Sequence, residues 1–291
     1  MLGAAGSLTL VAMNSVPGWN PRVLLQSPLF APLHGLIARF DENYFPTLDD
    51  LNELVAQKER QIVVESGKPV RFVEQMHGSL PFEAQYEPCC YLSGEVQTRP
   101  DNWHDLFNAL VWLAFPKTKA AINARHYRAL SNQPHAVAGA RGNERDMLTL
   151  FDESGVLVVH AEDELAELLR TFQWKDLFWQ RRDQVKADMG FYLFGHGLYE
   201  KAVRPYVGMT GQGLVMAVGR EFFTRPLVER LSYLDGLLTD YFLAPGNCRS
   251  TRELVPVPLL GVPGWAAENN DSAYYDNIRY FRKTRRGATA G

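Results

Sequence analysis

The sequence predicts an α+β fold: a single large, mostly helical domain with short antiparallel strands or hairpins and an extended Pro-rich C-terminal arm. Three observations carry that expectation. Apolar residues recur at helical spacing in several segments, most clearly from Asn102 to Phe115. Short β-branched runs flank turn residues at two places. Proline recurs too often between Val255 and Trp265 for a helix to form there.

Taken in order, Pro32 to Phe40 suits a short helix, and Thr47-Leu48-Asp49-Asp50 reads as an N-cap with an acidic first turn for a helix reaching Lys58. Gln61 to Glu65 and Pro69 to Val73 surround Ser66-Gly67, a hairpin signal. Glu83 to Gln97 reads as one irregular strand that Gly94 ends. The Asn102 to Phe115 helix follows, and Pro116 is suited to the first position of a second helix running to Leu130. Ser131 to Arg145 reads as a long loop. Met147 to Asp152 and Val156 to Val159 flank Glu153-Ser154-Gly155 and read as a second hairpin. Helices are expected over Asp163 to Thr171, Lys175 to Asp188, Gly195 to Arg204 and Pro226 to Phe242, with a short strand at Phe191 to Phe194. The domain reading is a loose extension over 1–18, one globular domain over 19–282 and a flexible basic tail over 283–291.

With 291 residues, 46% of them hydrophobic and 22% charged, the chain has ordinary globular composition. A net charge of −3 argues against a broad nucleic-acid surface. Nucleic acid would be met only through the basic C-terminal tail around Arg282 to Arg286. Cys89, Cys90 and Cys248 fit neither a disulfide framework nor a zinc spacing, which suits a cytoplasmic protein. No apolar run is as long as a membrane span, so no membrane partner is expected. Partners and oligomeric state are not specified by the residues.

Chemistry concentrates at three places. In the Asn102 helix, His104 and Asn108 are one turn apart and share a face. Asn102 has the chemistry of an N-cap, and Asp105 that of a first-turn residue favoured by the helix dipole. In Phe194-Gly195-His196-Gly197-Leu198-Tyr199-Glu200, His196 and Glu200 also have one-turn spacing, as metal ligands do. Asp152 and Glu153 add carboxylates at the expected turn. Together His104, Asp152, His196 and Glu200 are the candidate catalytic and metal-ligating set, with Asn108, Glu153 and Asp105 beside them. A mixed nitrogen and oxygen set points to a divalent metal ion as the cofactor. Each of these residues also has a structural explanation, as a cap, a turn carboxylate or a surface His–Glu pair. Walker, Rossmann and Gly-x-Ser-x-Gly patterns do not occur.

Five ordered segments resemble a proteobacterial family of unknown function: Gly94 to Arg99, Asn102 to Trp112, Leu148 to Gly155, Phe194 to Lys201 and Pro258 to Trp265. The resemblance runs from about Pro21 to Arg282. It departs at Gln97, where the family implies proline, and at Gly197, where it implies alanine. It implies a soluble bacterial protein and brings no activity with it. Two readings follow from the residues. One is a metal-assisted hydrolase of phosphoesterase or nuclease type; the other is a non-catalytic binding or structural protein whose polar motif residues form a buried hydrogen-bond network.

Overall fold

The computed structural model describes residues 18–132 and 142–283. The N-terminal extension, most of the Ser131 to Arg145 loop and the tail beyond residue 283 lie outside the described residues. Chain order runs α1 (Pro21–Gln26), a 3-10 turn (Pro28–Leu33), α2 (His34–Ile37), α3 (Leu48–Ala56), β1 (Arg71–Glu74), α4 (Tyr86–Ser93), β2 (Glu95–Thr98), α5 (Trp103–Ala114), α6 (Pro116–Ser131), α7 (Asn143–Ser154) and β3 (Gly155–His160). It continues with α8 (Asp163–Arg170), a π-helical stretch (Asp176–Gln180), α9 (Arg182–Asp188), β4 (Met189–Leu193), α10 (His196–Ala202), β5 (Thr210–Ala217), α11 (Leu227–Leu243) and β6 (Val255–Pro258). This is the mostly helical α+β architecture that the periodicity implies. No helix of the described residues is long and apolar enough to cross a membrane.

Capping chemistry sets several of these bounds. The Thr47 side chain accepts from the Asp50 amide while the Asp50 carboxylate accepts from the Thr47 amide at 2.8 Å, a capping box that starts α3. Asn102 Oδ1 accepts from the Asp105 amide at 3.0 Å and starts α5. Pro116 occupies the first turn of α6. Gly94 ends α4 at φ 76°, and a Cβ there would lie 2.1 Å from the Pro69 carbonyl oxygen.

The four-stranded sheet has the order β4-β3-β5-β6. β3 pairs antiparallel with β4 and parallel with β5, while β6 is antiparallel to β5 at the edge. Val156 to Val159 are fully buried at its centre. A second sheet is the parallel pair β1–β2, which needs a crossover connection, and α4 supplies it. α7 and α8 contact strands of the larger sheet; α10 packs on α5 and α7, and α11 on α6.

Five expectations are corrected. Met147 to Asp152 is not the first strand of a hairpin but part of α7, and the chain passes from Ser154 straight into β3. Met147, Leu148 and Phe151 are buried at helical spacing, so tertiary burial outweighs the turn chemistry of Glu153-Ser154-Gly155. Cys89 and Cys90 lie in helix α4 rather than in a strand. The Lys175 to Asp188 segment is broken at Arg181, between the π-helical stretch and α9. Val255 to Pro258 is the edge strand of the larger sheet rather than an arm laid over the body, and Leu259–Gly261 is a 3-10 turn. An edge position tolerates Pro256 and Pro258, which have no amide to donate. Nor are the strands all antiparallel: β1–β2 and β3–β5 are parallel. The Ser66-Gly67 turn is realised in miniature, as an antiparallel bridge between Val63 and Pro69 with Gly67 at φ 82°.

Candidate metal centre

Two backbone junctions place the site. At the first, α7 ends in Asp152 and Glu153 before β3 begins. At the second, β4 ends and α10 begins with His196. The junctions are tied together, because the amides of Phe194 and Gly195 both donate to the Gly155 carbonyl, at 3.0 and 2.9 Å. Gly195 permits this approach: a Cβ there would lie 2.5 Å from the amide nitrogens of Ser154 and Gly155. α5, packed on α10, brings His104 to the same point.

His104 Nε2 and His196 Nε2 are 3.0 Å apart, with the rings close to perpendicular at 77°. Glu153 Oε1 lies 3.4 Å from His196 Nε2 and 3.7 Å from His104 Nε2. This triangle is close to one face of a tetrahedral coordination shell, whose ligand atoms sit about 3.3 Å apart for metal–ligand bonds near 2.0–2.1 Å. Among the described residues, His104, Glu153 and His196 are the group of histidine and carboxylate atoms that could hold a metal ion.

Behind each imidazole stands a carboxylate. Glu200 Oε2 is 3.0 Å from His104 Nδ1. An ionised carboxylate only accepts, so the proton sits on Nδ1 and the His104 lone pair is at Nε2. Asp152 Oδ2 is 3.7 Å from His196 Nδ1, which is buried with no hydrogen-bond partner. That leaves an electrostatic conflict in the neutral pair. With its proton on Nε2, His196 turns the Nδ1 lone pair toward Asp152; with its proton on Nδ1, two lone pairs face each other at 3.0 Å. A cation between the Nε2 atoms removes the conflict, as does a second proton on the His196 ring. Carboxylate–histidine pairs of this kind orient imidazoles toward metal ions.

The remaining candidates fall into a buried support. Lys119 Nζ donates to both Asp152 oxygens, at 2.6 and 2.9 Å, and to Asn108 Oδ1 at 2.9 Å. Asn108 Nδ2 donates to the Tyr86 hydroxyl at 2.8 Å. Burial opposes ionisation of Asp152, but Lys119 and then His196 outweigh it and hold the carboxyl below its ordinary value. Glu153 is lowered chiefly by its hydrogen bond to His196. Burial pushes the Tyr86 phenol well up, so it stays neutral. Asp105 stands apart from the histidines. Burial pushes its carboxyl up, but the Arg99 guanidinium, at 2.9 Å from each oxygen, and the Arg99 amide, at 2.7 Å, bring it down.

The structure thus brings His104, Asp152, Glu153, His196 and Glu200 together, with Asn108 one contact further out. It gives Glu153, rather than Asp152 or Glu200, the position facing both Nε2 atoms. Sequence patterns did not point to Lys119, which lies in α6 at 3% exposure. Lys119 shares its buried face of α6 with Asn123 and His126, at helical spacing. A cleft of about 290 Å³ opens on the triad, and Tyr86, Arg99, Asn108 and His126 also line it.

No curated protein and no solved structure matches the chain. A family model described as "Protein of unknown function (DUF3025)" matches residues 70–285, a span that contains every residue of the triad and its support. The chain therefore belongs to the DUF3025 family.

Proposed function

We propose that the protein is a metal-assisted hydrolase, with His104, His196 and Glu153 holding a divalent ion and leaving a position open toward the cleft. One observation carries the reading: two imidazole Nε2 atoms and a carboxylate oxygen converge while both Nδ1 atoms face carboxylates. Two histidines and a glutamate with a free fourth position form a recurrent catalytic zinc set. A bound divalent ion supplies a Lewis acid and a source of hydroxide near neutral pH. The chain's own residues do the rest: Glu200 keeps the His104 lone pair on Nε2, and Lys119 anchors Asp152 behind His196.

Phosphoesterase chemistry on a small substrate suits the cleft better than nuclease chemistry. Its lining sets Glu87, Asp105, Asp152 and Glu153 against Arg99, with Lys119 paired to Asp152 from behind, so a divalent charge would bring this set of groups to neutrality. A polynucleotide would meet no basic track there. The second reading, a structural hydrogen-bond network, draws on the Tyr86–Asn108–Lys119–Asp152 chain, whose polar atoms are paired with one another.

Elemental analysis of purified native protein and of His196→Ala separates the two. One equivalent of a zinc-type ion in the native protein, lost in the variant, is expected. No metal in either sample overturns the metal reading. Bound metal without turnover of p-nitrophenyl phosphate or bis(p-nitrophenyl) phosphate overturns the phosphoesterase.

A further inference from the structure

A larger cleft, about 550 Å³, shares no lining residue with the histidine cleft. It lies along β5 and the edge strand β6, and its walls combine the rings of Phe172, Trp174, Tyr280 and Pro256 with the polar side chains of Thr210, Gln212 and Thr251. The volume is within the range of small-molecule sites, which are mostly apolar with a few polar groups fixing orientation. Its charged lining residues are Arg279 and Arg282, and no carboxylate lines it among the described residues. Both arginines are exposed, and Arg282 Nε donates to the Arg279 carbonyl at 3.2 Å. Neither guanidinium is in an ion pair among the described residues, so the cleft has a net positive charge that no described residue answers.

Phe172 reaches the wall as the left-handed residue (φ 61°) of the cap that ends α8, where the Gln173 amide donates to the Leu168 carbonyl at 2.9 Å and the Phe172 amide to the Leu169 carbonyl at 3.2 Å. That turn sets the Phe172 ring beside Trp174, with centroids 5.5 Å apart.

We infer that this cleft binds an amphipathic monoanion: an acyl or fused-ring body against Phe172, Trp174 and Tyr280, with one acidic group met by Arg279 and Arg282. The apolar body accounts for the ring-lined wall, and the acid group for the unanswered cations. The site is independent of the metal reading, and its test is a binding measurement that needs no turnover.

The test is isothermal titration of the full-length protein with dodecanoate and with dodecanol, both below micelle formation, before and after chelator treatment. The expected result is one saturable dodecanoate site, roughly tenfold tighter than dodecanol, the step that a charge-assisted hydrogen bond supplies. Chelation leaves it unchanged. Arg279→Ala/Arg282→Ala loses the preference for the acid, and Arg279→Glu/Arg282→Glu transfers it to dodecylammonium. Absence of saturable binding overturns the site. Equal affinity of wild type for acid and alcohol, or a preference that survives both double variants, overturns the assignment to the arginines. Thermal midpoints report whether the variants fold, and the wild-type comparison of acid with alcohol decides the matter even if they do not.

Discussion

His104 and His196 approach Nε2 to Nε2 at 3.0 Å although 92 residues separate them in the chain. Each ring has a carboxylate at its other nitrogen, Glu200 for His104 and Asp152 for His196. The two imidazoles are therefore aimed, and the consequences are measurable.

Glu200→Gln is expected to lower metal affinity by about 10- to 100-fold, the usual effect of removing a histidine's outer partner. The amide can still accept from His104 Nδ1, but the charge that makes the imidazole a better ligand is gone. Competition with a chromophoric chelator measures it. Affinity equal to wild type would show that Glu200 does not orient the ring.

Lys119→Met should destabilise the fold by about 3–5 kcal/mol, because it leaves the Asp152 carboxylate without the cation that compensates its burial. Adding Asp152→Asn in the same chain should recover most of that loss. Urea unfolding of the two variants gives the comparison, and equal loss in both would mean that packing rather than charge is responsible.

Gly195→Ala and Gly197→Ala should behave differently. At 195 the new methyl meets backbone, 2.5 Å from the Ser154 and Gly155 amides, so about 3 kcal/mol of stability should be lost. At 197 its nearest neighbour is Glu153 Oε2, at 2.5 Å, the end of a flexible side chain. Gly197→Ala should keep the fold within about 1 kcal/mol and weaken metal binding by turning the Glu153 carboxylate. Thermal denaturation with metal titration tests both.

Glu253 gives a pH dependence remote from the histidines. Burial opposes its ionisation, but the Tyr241 hydroxyl and the amides of Ser250, Cys248 and Arg249 outweigh it and hold the carboxyl below its ordinary value. Its stabilisation is complete above the unfolded carboxylate value and is lost as pH falls through the depressed folded one. Glu253→Gln should therefore be less stable than wild type at neutral pH, with the gap closing in acid. A gap that is independent of pH would assign the effect to shape alone.

Much of the site was legible in local patterns. Asn102 caps α5 as its residue type implies, and one-turn spacing sets His104 with Asn108 and His196 with Glu200 on shared faces. The role of Glu153 was not legible, because Glu-Ser-Gly has turn chemistry and only packing against α10 and β3 makes it the last turn of a helix. Lys119 was hidden for a similar reason. A lysine is buried when a carboxylate waits for it, and that carboxylate, Asp152, is 33 residues away. The parallel pairing of β3 with β5 also depends on contacts between segments too distant for any local pattern to report.

The shared Gly155 carbonyl has a consequence for the order of assembly. Because it takes both the Phe194 and Gly195 amides, the residues bearing Glu153 and His196 are fixed to each other by the sheet, without help from any ion. The cradle is a product of folding and not its cause, unlike a zinc finger, which has no structure until loaded. On the proposed metal reading, stripping the ion should leave a folded apoprotein with a pre-shaped seat, ready to refill without rearrangement of the chain.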